Sequence, residues 1–248
     1  MASIKLEQVS LIGSFSKEYR LRDLSFEVAK GEWLVLVGAS GCGKTSVLRL
    51  LNRLQDPSKG HIYYNQRDIQ TIPIGELRQQ VTLVLQESKL LGMTVEEALA
   101  YPLQLRGYSA DKIQKSIRFW QERLQLSREW WKRRETELSV GQRQMVAIAR
   151  ALTIQPQVLL LDEPTSSLDY GRSNTIFNLL RDLINERSLT IIMASHQLEL
   201  AEEFATQAIY LQDGCMVKQC LVHEMDWVGL REALTKVETN QGDHWTAF

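Results

Sequence analysis

The chain has 248 residues, 44% of them hydrophobic and 24% charged, with 29 Lys+Arg against 30 Asp+Glu. That length suits one large domain, or a domain carrying an insertion, with enough core to need no disulfide staples. A net charge of -1 lacks the basic excess that nucleic-acid backbones attract, so no nucleic-acid partner is expected. Cys42, Cys215 and Cys220 have neither disulfide-framework nor zinc spacing, as in a reducing compartment. Met1 to Gln8 carry acid and amide groups where a signal peptide needs an apolar run, and no stretch reaches the length of a membrane span. A cytoplasmic location is expected, with any membrane role passing through a partner.

In chain order, Trp33 to Val37, Val81 to Leu85, Val158 to Leu161 and Leu189 to Ala194 are near-continuous apolar runs of strand length. This is the pattern of parallel strands covered on both faces. Helical stretches alternate with them, giving an α/β fold in which ligands collect at the carboxyl ends of strands. Residues 94–138 differ. Thr94-Val-Glu-Glu97 is a capping box, and Ala110 to Leu126 is an amphipathic helix carrying Ile113, Ile117, Trp120 and Leu124. Both flanks return to strand-like sequence, so the block reads as a helical insertion, with Trp120, Trp130 and Trp131 in its core or rim. A hairpin, Ala208 to Leu211 and Met216 to Lys218, turns at Asp213-Gly214. A helix near Glu224 to Leu234 follows, and the last dozen residues read as loose and polar. The expected plan is one domain over 1–248, with a core over 1–93 and 139–234, a helical subdomain over 94–138 and a tail over 235–248.

The first strand runs into Gly38-Ala39-Ser40-Gly41-Cys42-Gly43-Lys44-Thr45 and a predicted helix from Ser46 to Leu54. This is a phosphate-binding loop in its strand-to-helix setting. Its glycines let successive N–H groups face a polyphosphate, helped by the helix start. Lys44 reaches the β and γ phosphates, and Thr45 offers its hydroxyl to Mg²⁺. Cys42 reads as a small filler that leaves the loop sensitive to alkylation. Val158-Leu-Leu-Leu161 ends in Asp162-Glu163. Alone, such a pair is most often a solvated turn. Beside a phosphate loop, alternation of side chains assigns Asp162 to the metal and Glu163 to the attacking water as base. Ser139 caps a helix through Met145, Ile148 and Leu152, with Gln142 at the capping-box position. That start, with Gly141, is either simply a capped helix or a second anion site belonging to a nucleotide held between two copies.

Taken together, these motifs resemble the ATP-binding subunit of an ABC transporter over residues from about 4 to 218. The resemblance implies a P-loop ATPase core with a mostly parallel sheet, an N-terminal antiparallel β portion and an inserted α-helical subdomain. It makes Gly38 to Thr45, with Ser46, the Walker A loop, Gln86 the Q-loop glutamine and Leu138 to Gln142 the signature that reaches ATP on the opposing subunit. It also makes Val158 to Asp162 the Walker B strand, Glu163 the catalytic carboxylate, Ser167-Leu168-Asp169 the D-loop and His196 the switch histidine. Thr45, Gln86 and Asp162 are then the metal set, and Lys44, Gln86, Glu163 and His196 the catalytic set. An aromatic, Phe15 or secondly Tyr19, is expected on the adenine ring. The implied activity is Mg²⁺-dependent ATP hydrolysis by a head-to-tail homodimer on the cytoplasmic face of a membrane. It powers transport through a separately encoded permease docked near Glu87 to Met93.

Two departures stand out. Val140 replaces the usual signature glycine, although Gly141 remains for close phosphate approach, and Lys132 to Glu137 lack the motif typical of fused exporters. The sequence also stops soon after residue 234, without the long regulatory domain of many sugar and iron import ATPases. For the cargo, Leu91 to Gly107 resembles small subunits assigned to iron efflux and, less closely, phosphate import, which points to an inorganic ion. The rival readings are a non-transport ABC ATPase, such as an iron-sulfur assembly scaffold or DNA-repair head, and a phosphotransferase. The signature speaks against the last.

Overall fold

In the computed structural model, residues 2–13 and 18–243 are described. The four predicted apolar strands line up in one sheet: β3 (Trp33–Val37), β6 (Val81–Val84), β7 (Val158–Asp162) and β8 (Thr190–Ala194). With the hairpin β9 (Gln207–Gln212) and β10 (Cys215–Leu221), the strand order is β10-β9-β3-β8-β7-β6. All pairs are parallel except β9 with β10. Every residue of β3, β7 and β8 is buried, which explains why these strands read as unbroken apolar runs. Their side chains alternate between two cores. Leu34, Leu36, Leu160 and Ile192 pack toward α1 (Lys44–Leu51) and a four-stranded antiparallel sheet. Trp33, Val35, Leu159 and Ile191 pack toward the helices of the other face. There Trp33 meets Phe177 edge to face at 5.3 Å.

The antiparallel sheet has the order β2-β1-β4-β5, formed by β1 (Ala2–Ile12), β2 (Tyr19–Ala29), β4 (Lys59–Tyr64) and β5 (Arg67–Asp68). Then α2 (Ile74–Gln80) leads into β6. Between β6 and β7 lie α3 (Val95–Gln104), α4 (Ala110–Arg123), two short 3-10 turns and α5 (Val140–Thr153). The Thr94 capping box is formed in both directions, Thr94 N–H donating to the Glu97 carboxylate at 2.8 Å and Glu97 N–H to Thr94 Oγ1 at 3.3 Å. Ile113, Ile117, Trp120 and Leu124 are buried as their spacing predicts, as is Trp130, while Trp131 packs partly against the same core. Two helices, α6 (Tyr170–Arg187) and α7 (Leu198–Phe204), flank β8, and α8 (Trp227–Asp243) ends the described chain.

Several boundaries differ from the sequence reading. The helix after the phosphate loop starts two residues early, because Gly43 itself is its N-cap. Helix α4 stops at Arg123 because Gln125 adopts a left-handed φ of 51° that turns the chain. At the carboxyl end, Glu224 sits in a 3-10 turn, and the helix begins only after Asp226, whose Oδ1 accepts the Gly229 N–H at 2.9 Å. It then continues to Asp243 through residues expected to be loose.

Candidate active site

Strand β3 ends at the phosphate loop, where Gly38, Gly41 and Gly43 all take positive φ. Gly43 is the demanding position: it caps α1 at φ 110°, and a Cβ there would strike Leu21 Cδ2. Lys44, the first residue of α1, is buried, and its Nζ donates to the carbonyls of Gly38 at 2.7 Å and Ala39 at 3.1 Å. The ammonium is thus fixed across the loop before any ligand arrives. Cys42 is buried as well, and burial pushes its thiol up even though Lys44 Nζ lies 3.9 Å from Sγ. The expected alkylation sensitivity is therefore corrected: a covered thiol held protonated is a poor nucleophile.

Asp162 ends β7 as a buried carboxylate, and Thr45 Oγ1 donates to its Oδ1 at 3.0 Å. Burial raises the Asp162 pKa, and the Thr45 hydrogen bond only partly opposes this. A desolvated carboxylate with a single hydroxyl partner is the donor chemistry of a hard divalent cation. Among the described residues no group of three or more His, Cys, Asp and Glu gathers to hold a metal. The pair Thr45 and Asp162 thus fits Mg²⁺ only with nucleotide oxygens filling its shell.

Glu163 points elsewhere, as alternation predicts. Its Oε2 accepts from Gln86 Nε2 at 2.8 Å and its Oε1 lies 2.8 Å from His196 Nε2. Strand order explains the grouping: β8, β7 and β6 are neighbours, so the residues after them, His196, Glu163 and Gln86, form a row along the carboxyl edge. The Glu163 N–H bonds the Ala194 carbonyl at 3.0 Å while its φ is 47°, a strained value for a non-glycine residue. Gln86, expected in the metal set, is engaged with Glu163 through its Nε2.

The signature is also built as its sequence suggests. Ser139 Oγ accepts the Gln142 N–H at 3.2 Å, and Ser139 N–H donates to Gln142 Oε1 at 2.9 Å. No acidic side chain occupies the first turn of α5, which leaves its positive dipole end uncompensated. Gly141 lies against the D-loop: a Cβ there would sit 2.7 Å from the Ser167 carbonyl oxygen. The structure therefore gathers Lys44, Thr45 and Asp162 at one point and Gln86, Glu163 and His196 beside it. From the Ser139 to Gln142 group, it sets Gly141 against Ser167 and Leu168 of the same chain. Phe15 lies outside the described residues. Tyr19 is partly exposed, with Arg22 Cζ 5.7 Å and Lys59 Nζ 5.8 Å from its ring centre.

Sequence reasoning missed the polar links between these parts. Ser88 hydrogen-bonds Gln144 Oε1, tying the segment after Gln86 to α5. Glu135 accepts the Leu90 N–H at 2.9 Å, and Arg143 Nη1 donates to the Leu138 carbonyl at 2.8 Å. Nothing in the spacing of Gln144 or Glu135 distinguishes them from ordinary solvated helix residues.

A family model described as ABC transporter matches residues 21–166, and an AAA-domain model overlaps it over 132–202. The methionine import ATP-binding protein MetN 1 of Bacillus cereus (strain ATCC 10987 / NRS 248) is 34% identical over 231 residues, 90% of this chain and 66% of its own length. MetN of Desulfitobacterium hafniense (strain Y51) is 34% identical over 224 residues, 87% of this chain and 65% of its own. The chain thus spans slightly under two thirds of these relatives. Among solved structures, the dimeric post-hydrolysis state of the ATP-binding cassette MJ0796 bound to ADP and Pi superposes with a TM-score of 0.83 at 27% identity, covering 90% of this chain and 100% of that one. CbiO1 of Clostridium perfringens, part of the ABC transporter complex cbiONQ, shares the fold with a TM-score of 0.81 at 24% identity, covering 100% of this chain and 99% of that one.

Proposed function

The chain belongs to the ABC transporter family, and from that premise we propose that it is the ATP-binding and ATP-hydrolysing subunit that powers transport through a separately encoded membrane permease. The observation that carries the hydrolytic reading is the row Gln86, Glu163, His196 beside the Lys44 loop. Lys44 and the loop N–H groups hold the triphosphate, and Thr45 with Asp162 would hold Mg²⁺, which supplies charge neutralisation at the phosphate oxygens. Glu163 accepts the proton of the attacking water. Its Oε2 is held by Gln86 and its Oε1 lies against His196, which orients the carboxylate while each oxygen keeps a lone pair for the attacking water.

Two copies closing on ATP explain the signature. Its capped helix start carries no acid and its Gly141 lies against Ser167, away from the Lys44 loop in sequence, so the anion it suits comes from the opposing copy. For the permease, a cleft of ≈ 940 Å³ opens between the segment Leu85 to Lys89 and helices α3 and α5. Leu91 and Leu105 on its rim are 72% and 70% exposed. The cleft runs from Thr45, Asp162 and Gln86 at its inner end to Leu91 and Leu105, and includes part of the expected segment Glu87 to Met93. Among the described residues no helix is long and apolar enough to cross a membrane. For the cargo, the names of the relatives support methionine and give no support to the inorganic ion suggested by Leu91 to Gly107. The test is Mg²⁺-dependent phosphate release from ATP. Glu163→Gln should slow it by about a hundredfold or more, and unchanged turnover removes Glu163 as the base.

A further inference from the structure

The parallel strands have a second edge, at their amino ends, that the ATPase reading leaves unused. Two adjoining cavities open there between α4 and the turns into β7 and β8. The first, ≈ 220 Å³, is walled by Trp120, Leu183 and Leu189 with Lys30 at one side; the second, ≈ 340 Å³, is walled by Tyr108 and Phe119 with Lys112 and Lys115. Gln155 and Arg187 belong to both.

Three features mark this as a site and not a surface dent. Trp120 is 1% exposed, and its indole N–H is buried without a partner among the described residues. Such an orphan donor is destabilising unless something accepts from it. Neither wall contains an Asp or Glu, and among the described residues Lys30, Lys112, Lys115 and Arg187 form no ion pair. Finally, Arg187, itself exposed and next to Glu186, lies where the cavities meet, its Cζ 5.7 Å from the Phe119 ring centre and 5.8 Å from that of Trp120.

We propose that the double cavity binds a small carboxylate attached to an aryl or alkyl body. One guanidinium lying over two aromatic rings, near one buried neutral indole donor, suits a monoanion with a planar acceptor pair. The three lysines are exposed, Lys112 with its Nζ 3.9 Å from the Tyr108 ring centre, and as single-point ammonium donors they add attraction without the forked geometry of the guanidinium. The body lies against the ring and aliphatic walls. An occupant ties α4 to the turn after α6, on the edge opposite the phosphate loop, so its binding is independent of the ATPase reading.

The test uses the full chain with isotope-labelled tryptophan. The Trp120 indole N–H resonance is identified by its selective displacement in Phe119→Leu, whose ring stands edge on to Trp120 at 5.0 Å. Titration with phenylbutyrate should shift that resonance saturably, with or without ATP. Its neutral amide and inorganic phosphate should not shift it, and Arg187→Gln should weaken the response about tenfold or more. A resonance that stays in place, an equal response to the amide, or full affinity in Arg187→Gln overturns the proposal.

Discussion

Gly141 separates an intrachain role from a nucleotide role. In Gly141→Ala the new Cβ stands 2.7 Å from the Ser167 carbonyl oxygen and 3.1 Å from Leu168 Cδ2. The nearer atom is backbone, so the D-loop or α5 must shift. Overpacking of this kind costs about 1–3 kcal/mol, and replacing glycine in a helix returns at most about 1 kcal/mol. The net loss spans about 0–3 kcal/mol and centres on about 1–2 kcal/mol, or about 2–8 °C in the unfolding midpoint for a chain of this size. Thermal melts of the nucleotide-free protein read it directly. Val140→Ala is the control: Val140 is 58% exposed, and truncation there should stay within about 0.5 kcal/mol. A Gly141→Ala chain that melts like the parent, yet no longer associates with ATP, would refute the intrachain argument and leave the glycine to the opposing copy's phosphate alone.

Asp162→Asn should raise the nucleotide-free melting midpoint at neutral pH while abolishing the extra stabilisation given by Mg²⁺ with ATP. Burial raises the pKa of this carboxyl, so the native chain binds more protons than the unfolded one above the ordinary carboxylate range. Stability then falls as pH rises through that window, and the gap between variant and parent should close on acidification; a lower midpoint for Asp162→Asn at neutral pH contradicts this. Cys42 should react with iodoacetamide more slowly than Cys215 or Cys220, because it is buried and the others are partly exposed; mass spectrometry of the labelled chain decides the order. Thr94→Ala should cost about 1 kcal/mol through loss of the α3 cap, read as a lower urea midpoint.

The parallel sheet and the phosphate loop are legible in the sequence because burial on both faces removes polar residues from β3, β7 and β8, and because a polyphosphate cradle constrains glycine spacing. Asp162 and Glu163 are separable for a similar reason: strand alternation sends one to Thr45 and the other to Gln86 and His196. The double engagement of Glu163 is not legible, since it depends on the spatial order β8-β7-β6, which spacing along the chain does not encode. The cavity under Trp120 is hidden for another reason. The spacing that places Trp120 in the core leaves unspecified whether its N–H finds a partner there. The fate of Cys42 turned on burial beneath the loop, which a list of neighbouring residues does not convey.

In the proposed cycle, ATP gripped by the loop around Lys44 is closed over by a second copy. Light scattering of Glu163→Gln with Mg²⁺ and excess ATP tests it most directly, since slow turnover traps the closed state. The expected mass is near twice that of one chain with ATP and that of a single chain with ADP, with no ATP-dependent gain in Glu163→Gln that also carries Lys44→Ala. A single-chain mass at saturating ATP, with binding confirmed in the same sample, would contradict it.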